Sequence, residues 1–172
     1  RISGAANKTL HFHFPRALFG SFGPAFSNDG GKTWQWLYKE LHDTHDHFSY
    51  SFGSTENEVR FSSTIPYLQS DFDEFISSYK NNPNVTTGTL TTSEMKMNVE
   101  EVKIHRRDIE PKYKVLLTAR HHAGEAMANY VLEGLISTIL DDDDSRIKRL
   151  RDNVEFLIVP FMDKDGVEDG DQ

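Results

Sequence analysis

The amino-acid sequence predicts a small antiparallel β-sandwich-like domain over residues 1–65, followed by the first portion of an α/β domain over residues 66–172, with a mixed sheet and flanking helices. Two observations predict this division. Short aromatic runs separated by turn residues fill the beginning of the chain, as in antiparallel β structure. Further along, two apolar runs are joined by an amphipathic helical pattern, which is typical of an α/β unit.

The predicted β-domain rests on the alternation of apolar and polar residues. In the run LHFHF the two histidines alternate with Leu10, Phe12 and Phe14, and the run HFSYSF repeats this period of two. Because side chains of a strand point alternately to opposite faces, one face of each strand is predicted to be buried. The runs predicted to be strands are LHFHF, FGSFG, HFSYSFG and EVRFSS, with breakers such as Asn-Asp-Gly-Gly between them.

The α/β portion is predicted from changes in periodicity. A first helix ends at Asn82-Pro83, because proline and the residue before it do not continue a helix. An amphipathic helix from about residue 125 to 140 is predicted to bury Val131 and Leu135 against the sheet. The other predicted elements are strands at 86–91 and 99–104, the buried strands YKVLLTA and VEFLIVPF, and a short basic helix through residue 151 that Asp144 or Ser145 caps.

The composition argues against several partners and sites. The formal net charge is −8 and the isoelectric point is about 5.4, which leaves no basic face for a nucleic-acid backbone. No apolar run approaches the roughly 18 residues that a membrane span needs. Neither nucleic acid nor a membrane is therefore expected as a partner. Because the chain has no cysteine, any metal must be held by histidine and carboxylate side chains.

A candidate metal site follows the first apolar run, in the sequence Arg-His-His-Ala-Gly-Glu of residues 120–125. Ligands of open α/β sheets bind at the carboxyl ends of the strands. If a helix begins at about Ala123, then His122 and Glu125 project to the same side and can share one metal ion. Both side chains bind zinc at about 2.0–2.2 Å. A metal-free alternative also fits, in which they act as a cap and as a carboxylate favoured by the helix dipole.

A second candidate follows the run VEFLIVPF, where five carboxylates crowd residues 163–171. Acidic side chains at alternate positions, with a glycine at the turn, supply the oxygen ligands that calcium needs. The register differs from that of an EF-hand, and a solvated acidic turn accounts for the pattern equally well. The alternative function is therefore a non-catalytic binding module whose acidic loop holds calcium.

These two stretches together resemble the zinc metallocarboxypeptidase family, in particular its cytosolic-carboxypeptidase-like branch. The family motif arginine-any-His-Pro-Gly-Glu is similar to residues 120–125, with Ala123 in place of proline. The family motif Asn-Pro-Asp-Gly-Val is similar to residues 163–167, with Asp163 and Lys164 in place of its first two residues. Residues 12–14, 29–34 and 59–67 resemble the β-sandwich that precedes the catalytic domain in this branch.

This resemblance implies a zinc-dependent carboxypeptidase that hydrolyses the C-terminal residues of peptides or proteins. Zinc would be held by His122 and Glu125, with His121 outside the coordination sphere. The second histidine ligand, the substrate-binding arginines and the general-base glutamate are expected beyond Gln172, in a C-terminal part of the same protein that would be a partner of this chain. No catalytic residue is expected within the chain, which is predicted to be inactive alone. The histidines at 11, 13, 42, 45 and 47 match nothing catalytic and are predicted to be strand or surface residues.

Overall fold

The structure is a computed structural model that describes residues 1–16, 18–38 and 45–170. The chain separates into two units, Arg1–Pro66 and Tyr67–Gln172, each with its own hydrophobic core. Of the residues singled out in the sequence, His42, Asp171 and Gln172 lie outside the described residues. Across the described ranges, no helix combines the length and the apolar character that crossing a membrane requires.

The first unit consists of antiparallel strands. The strands predicted at LHFHF, HFSYSFG and EVRFSS are present, whereas FGSFG forms a turn in which Gly23 N donates to Gly20 O at 3.0 Å. Glycine at both ends of the turn, Gly20 and Gly23, favours it, and Gly23 adopts a φ of 76°. The strands are β1 (Ile2–Ser3), β2 (Thr9–His13), β3 (Ala25–Ser27), β4 (Gln35–Trp36), β5 (His47–Ser51) and β6 (Glu58–Ser62).

Aromatic side chains form the core of the first unit. One sheet has the order β1-β6-β3-β4, and β2 pairs with β5 in a second, two-stranded sheet. Phe12 of β2 stacks on Phe48 of β5 with ring centroids 4.6 Å apart. Phe61 of β6 contacts both rings, at 5.3 and 5.1 Å. The inward phenylalanines of the two sheets therefore share one core, as the alternation in the sequence predicts.

The second unit contains a four-stranded mixed sheet in the order β7-β8-β10-β9. Strands β9 and β10 are parallel, and the other two pairings are antiparallel. The predicted mixed sheet with flanking helices is confirmed. Its elements are α1 (Gln69–Ser77), β7 (Val85–Thr92), β8 (Asn98–Ile104), β9 (Tyr113–Thr118), α2 (Met127–Asp141), α3 (Ser145–Asn153), β10 (Val154–Val159) and α4 (Lys164–Asp169).

Helices α2 and α3 supply the crossover that two neighbouring parallel strands require. Asp144 caps α3, because its Oδ1 accepts a hydrogen bond from Arg146 N at 2.7 Å. Since β9 and β10 run the same way, with Thr118 opposite Val159, their carboxyl ends lie side by side. The turns that follow these two strands therefore meet at one edge of the sheet.

The buried face of α2 differs from the predicted one. Val131 is 70% exposed, and Leu135 is only partly buried. Successive residues of a helix are about 100° apart, so a helical stripe chosen one residue out of phase points away from the core. The prediction for Val131 is wrong for this reason. The apolar residues of α2 that are buried are Leu132, Ile136, Ile139 and Leu140.

Candidate metal centre

The metal-motif turn, residues 120–125, follows β9 at the carboxyl edge of the sheet. Backbone hydrogen bonds join it to the chain that leaves β10. Met162 N donates to Ala119 O at 3.0 Å, and Asp163 N donates to Arg120 O at 2.8 Å. The two stretches that the sequence singled out are thus brought together, as expected for the ends of adjacent parallel strands.

His122 and Glu125 contact each other within this turn. His122 Nδ1 lies 2.9 Å from Glu125 Oε1, and the backbone N–H of His122 donates to Glu125 Oε2 at 3.1 Å. Glu125 N in return donates to His122 O at 3.2 Å. The expected helix start at about Ala123 is wrong, because α2 begins at Met127. A reciprocally hydrogen-bonded turn, rather than a helical face, therefore juxtaposes the two side chains.

The two side chains change each other's protonation. The hydrogen bond to Glu125, followed by the charge of that carboxylate, raises the pKa of His122 above its ordinary value. The hydrogen bonds from the His122 side chain and backbone lower the pKa of Glu125. Both groups remain accessible, with side chains 72% and 48% exposed. A solvent-facing carboxylate is thus kept ionised beside an imidazole nitrogen.

This arrangement fits two ligands of a zinc ion. Two donors that each lie about 2.0–2.2 Å from one tetrahedral zinc are separated by roughly 3.3–3.6 Å. His122 Nδ1 and Glu125 Oε1 are 2.9 Å apart, so they need to separate only slightly once the proton between them is lost. Imidazole and carboxylate are donors that zinc accepts. Within the described part of the chain, no group of three or more histidine, aspartate or glutamate side chains is arranged to hold a metal. His122 and Glu125 are therefore two candidate ligands that lie side by side.

His121 points to a different partner from His122. Its Nε2 lies 2.8 Å from Thr118 Oγ1, at the end of β9. This contact agrees with the expectation that His121 is outside the coordination sphere, which remains a prediction. The neighbouring histidines thus differ in environment although the sequence makes them equivalent in type.

Arg120, the first residue of the motif found in the sequence, is buried. Its side chain is 5% exposed, and the residue has a φ of 54°, in the left-handed region. The guanidinium donates to Tyr67 O at 3.0 Å, to Asn129 Oδ1 at 3.4 Å and to Ala123 O. Burial lowers the pKa of Arg120, and the charges of Glu125 and Asp163 oppose that shift. The motif marks this position in the sequence, but no local pattern shows that its side chain is buried.

The acidic stretch after β10 forms a short helix, α4, in place of the expected loop. Asp163 Oδ1 accepts from Gly166 N at 3.1 Å and caps the helix. A side chain at Gly166 would bring its Cβ within 2.2 Å of Asp163 Oδ2, so the cap requires glycine there. Asp165 Oδ2 accepts from Met95 N at 3.0 Å. These carboxylates already have N–H partners within the chain.

Lys164 is a buried cation among these carboxylates. Its side chain is 4% exposed, and Nζ lies 3.0 Å from Glu168 Oε1 and 3.5 Å from Glu100 Oε1. It also donates to Gln69 Oε1 and lies 5.2 Å from the centre of the Phe161 ring. Lys164 is the first residue of α4, a position that proline also favours, so the proline of the resembled motif would suit the same helix start.

The histidines of the first unit have local partners on its strands and turns. His11 Nδ1 lies 2.6 Å from Ser49 Oγ across the β2–β5 pair. His47 Nδ1 lies 2.5 Å from Asp46 Oδ1, and His13 Nε2 lies 3.8 Å from Asp46 Oδ2. His45 has a positive φ of 53° and lies in the turn before β5.

The second unit matches a known protein family. Residues 69–172 match the family model of zinc carboxypeptidases. Cytosolic carboxypeptidase 3 of Bos taurus is 27% identical over 137 residues, which are 73% of this chain and 14% of that protein. Cytosolic carboxypeptidase 6 of Caenorhabditis elegans is 25% identical over 177 aligned positions, covering 92% of this chain and 38% of that protein.

The fold has counterparts among solved structures. A metallo-carboxypeptidase from Burkholderia cenocepacia superimposes with a TM-score of 0.81 at 22% identity, covering 98% of this chain and 47% of that chain. The mixed sheet is thus that of the metallo-carboxypeptidase fold. The chain belongs to the zinc carboxypeptidase family, with cytosolic carboxypeptidases among its relatives. It spans less than half the length of each of these three proteins.

Proposed function

We propose that the protein is a zinc-dependent carboxypeptidase that hydrolyses the C-terminal residues of peptides or proteins, and that His122 and Glu125 are two of its zinc ligands. The observation that carries this proposal is the 2.9 Å spacing of His122 Nδ1 and Glu125 Oε1. Family membership supports the reaction type. The place of the pair, at the carboxyl ends of adjacent parallel strands, suits a reaction site.

Residues of this chain orient the two proposed zinc ligands. Zinc bound there would polarise the scissile carbonyl and lower the pKa of a bound water. His122 presents Nδ1 toward Glu125, and its backbone N–H holds the other oxygen of that carboxylate. One Glu125 oxygen is thereby oriented while the other stays beside the imidazole. The proton shared between them must leave before a metal binds, since both ligands bind in their deprotonated forms.

The remaining groups of the reaction are proposed to come from sequence outside residues 1–172. A catalytic zinc site usually has three protein ligands, and this turn supplies two. Strand β9 pairs with β10 on one side, and Leu116 on β9 is exposed. A further strand and its covering elements beside β9 would bury such apolar residues. On this proposal the chain carries part of the active site and is inactive by itself.

The architecture of the first unit supports a related proposal. We propose that residues 1–65 are a β-sandwich-like domain and that residues 66–172 are the first part of the catalytic domain. Two antiparallel sheets that share one core through Phe12, Phe48 and Phe61 support the sandwich. The separation of the chain after Pro66 supports the boundary.

Zinc content and C-terminal hydrolysis, measured together on the complete protein, test the proposed function. We expect close to one zinc per chain by elemental analysis, and chelator-sensitive release of C-terminal residues from peptides. The 172-residue chain, assayed under the same conditions, is the control and should show no release. A complete protein without zinc and without chelator-sensitive release would contradict the proposal. Activity of the 172-residue chain would contradict only the part that concerns missing groups.

A further inference from the structure

We propose that Arg120, held by Asn129, is a positioning residue that fixes the turn on which the two metal ligands lie. The inference deepens the proposed function and rests on it. Arg120 contributes no ligand atom, because its guanidinium lies behind the turn and is buried. Its role is to hold the backbone between His122 and Glu125 so that their side chains meet.

The hydrogen bond to Ala123 O connects Arg120 directly to this geometry. Ala123 follows His122, and its carbonyl accepts from one terminal nitrogen of the guanidinium. The other terminal nitrogen donates to Tyr67 O at 3.0 Å and to Asn129 Oδ1 at 3.4 Å. A planar guanidinium presents its N–H groups in a fixed fork, so holding one end of the fork sets the position of the other. The metal-motif turn is thereby held to Tyr67, at the start of the second unit, and to Asn129 of α2.

Asn129 holds the other side of this network. It is 1% exposed, and its Nδ2 donates to Pro160 O at 2.9 Å while its Oδ1 accepts from Arg120. Helix α2 is therefore linked through one side chain to the end of β10 and to the cation. The backbone of Arg120 joins the two strand-end turns directly, because its carbonyl accepts a hydrogen bond from Asp163 N at 2.8 Å. Both strand-end turns thus depend on Arg120.

The backbone of Arg120 is consistent with an imposed conformation. Its φ of 54° lies in the left-handed region, which a non-glycine residue adopts when its surroundings determine it. In the described part of the chain its guanidinium donates only to uncharged oxygens, and its Nε is buried without a partner. The guanidinium therefore has no direct ion pair there, and its hydrogen bonds all go to oxygens that fix the backbone around the turn. Arg120 thus supplies the shape of the turn behind the ligands.

The test compares Arg120→Lys with Tyr79→Phe in the complete protein, by chelator competition for zinc and by thermal unfolding of the zinc-free form. Lysine keeps the charge but cannot span the three oxygens. We expect zinc affinity to fall by about 10- to 100-fold, as for other groups that orient metal ligands. Tyr79→Phe is the matched control, because it removes hydrogen bonds to Ser137 and Asp141, which lie about 12 and 18 Å along α2 from Asn129. Its zinc affinity should stay within about twofold of the wild type.

A readout that needs no zinc separates positioning from general stability. The amides of His122 and Asp163 donate to Glu125 Oε2 and to Arg120 O. In zinc-free protein, Arg120→Lys should speed hydrogen exchange at both amides, whereas Tyr79→Phe should leave both rates unchanged. Equal loss of zinc affinity in both variants would show general loosening and overturn the inference. Wild-type zinc affinity in Arg120→Lys would also overturn it.

His122→Ala, measured alongside, distinguishes this inference from the proposed function. If His122→Ala loses zinc and Arg120→Lys does not, only the positioning role fails. If His122→Ala keeps wild-type affinity, the ligand assignment fails and the positioning role fails with it. Should Arg120→Lys not fold, Asn129→Ala takes its place. That variant keeps the guanidinium and removes the Asn129 oxygen, and unchanged zinc affinity there overturns the inference.

Discussion

The turns that follow β9 and β10 lie at the same edge of one sheet, yet they differ in what their charged side chains can do. After β9, His122 and Glu125 face solvent, and the buried cation Arg120 donates to uncharged oxygens behind them. After β10, the buried cation Lys164 is itself paired with two glutamates. The carboxylate of the first turn therefore contacts only the neighbouring candidate ligand His122 and solvent, whereas the carboxylates of the second turn are engaged by a buried lysine and by backbone N–H groups.

On the proposed function, zinc binds at the turn that has fewer carboxylates. The acidic stretch has more carboxylates than the metal-motif turn, but Asp163 caps a helix and Asp165 accepts a backbone N–H. A carboxylate that accepts strong hydrogen bonds must give them up to bind a cation. Glu125 also accepts hydrogen bonds, but they come from His122, whose imidazole can itself bind a metal once it is deprotonated. On the proposed function, a histidine and a glutamate that face each other at the surface are therefore the better zinc ligands.

The largest expected effect is on zinc binding at the first turn. Replacing His122 with alanine in the complete protein should weaken zinc binding by more than about 100-fold, because a ligand has a larger effect than the groups that orient it. His121→Ala is the matched control and should keep most of the affinity, since His121 contacts Thr118 instead. Zinc content after dialysis measures both. The opposite ranking would mean that the register of the ligands is wrong.

The next largest effect concerns the stability of the second turn. Lys164→Met in the 172-residue chain should lower the free energy of unfolding by about 3 kcal/mol, because it leaves Glu100 and Glu168 without their cation in a largely buried site. Lys148→Met removes an exposed pair with Asp143 and should leave the free energy of unfolding almost unchanged, because solvent screens that pair. Urea denaturation measures both variants. Equal effects would contradict the difference between a buried and an exposed pair.

A smaller effect is expected on the titration of His122 in the zinc-free chain. Glu125 is the main cause of its raised pKa, and Asp163 is the last of the contributors. Glu125→Gln should therefore lower the pKa of His122 more than Asp163→Asn does. Ring proton shifts followed by NMR across pH measure both. A larger effect from Asp163→Asn would mean that the second turn controls the protonation of the first.

The same shifts define the pH window of the pair. The raised pKa of His122 adds stability at pH values below its unfolded pKa, and this is lost as the pH rises through the folded value. The lowered pKa of Glu125 adds stability above its unfolded pKa, and this is lost as the pH falls through the folded value. The contact between His122 and Glu125 therefore stabilises the zinc-free chain at pH values between the lowered pKa of Glu125 and the raised pKa of His122. Zinc affinity should rise with pH through the raised pKa of His122, because the metal competes with the proton.

The smallest expected effect is that of calcium. The 172-residue chain should show no change in thermal unfolding on calcium titration, because the carboxylates after β10 hold N–H groups and Lys164. If a specific site existed, free calcium at 100 times its dissociation constant would add about 2.7 kcal/mol to the free energy of unfolding and raise the unfolding temperature by several degrees. Such a rise would favour the calcium-binding module. Magnesium at the same concentration controls for ionic strength.

Much of the fold is predictable from short stretches of sequence. The apolar runs of β9 and β10, the alternation in β2 and the capping of α3 by Asp144 depend on neighbours within a few residues. The meeting of His122 and Glu125 is predictable from their spacing, although the structure achieves it through a turn before α2. The buried face of α2 was not, because a helical stripe has the right period in more than one phase.

The sequence by itself determined which residue types stand at the ends of the two central strands, and so where chemistry was to be sought. Only the tertiary structure decided which of them are buried and with whom they pair. Arg120 donates to Tyr67 O, 53 positions away, and Lys164 to Gln69, 95 positions away. Burying a cation is favourable only where oxygens from distant segments converge on it, and no local pattern encodes that convergence. Local periodicity therefore predicts the strands and their ends, whereas the burial of these cations is a property of the assembled sheet.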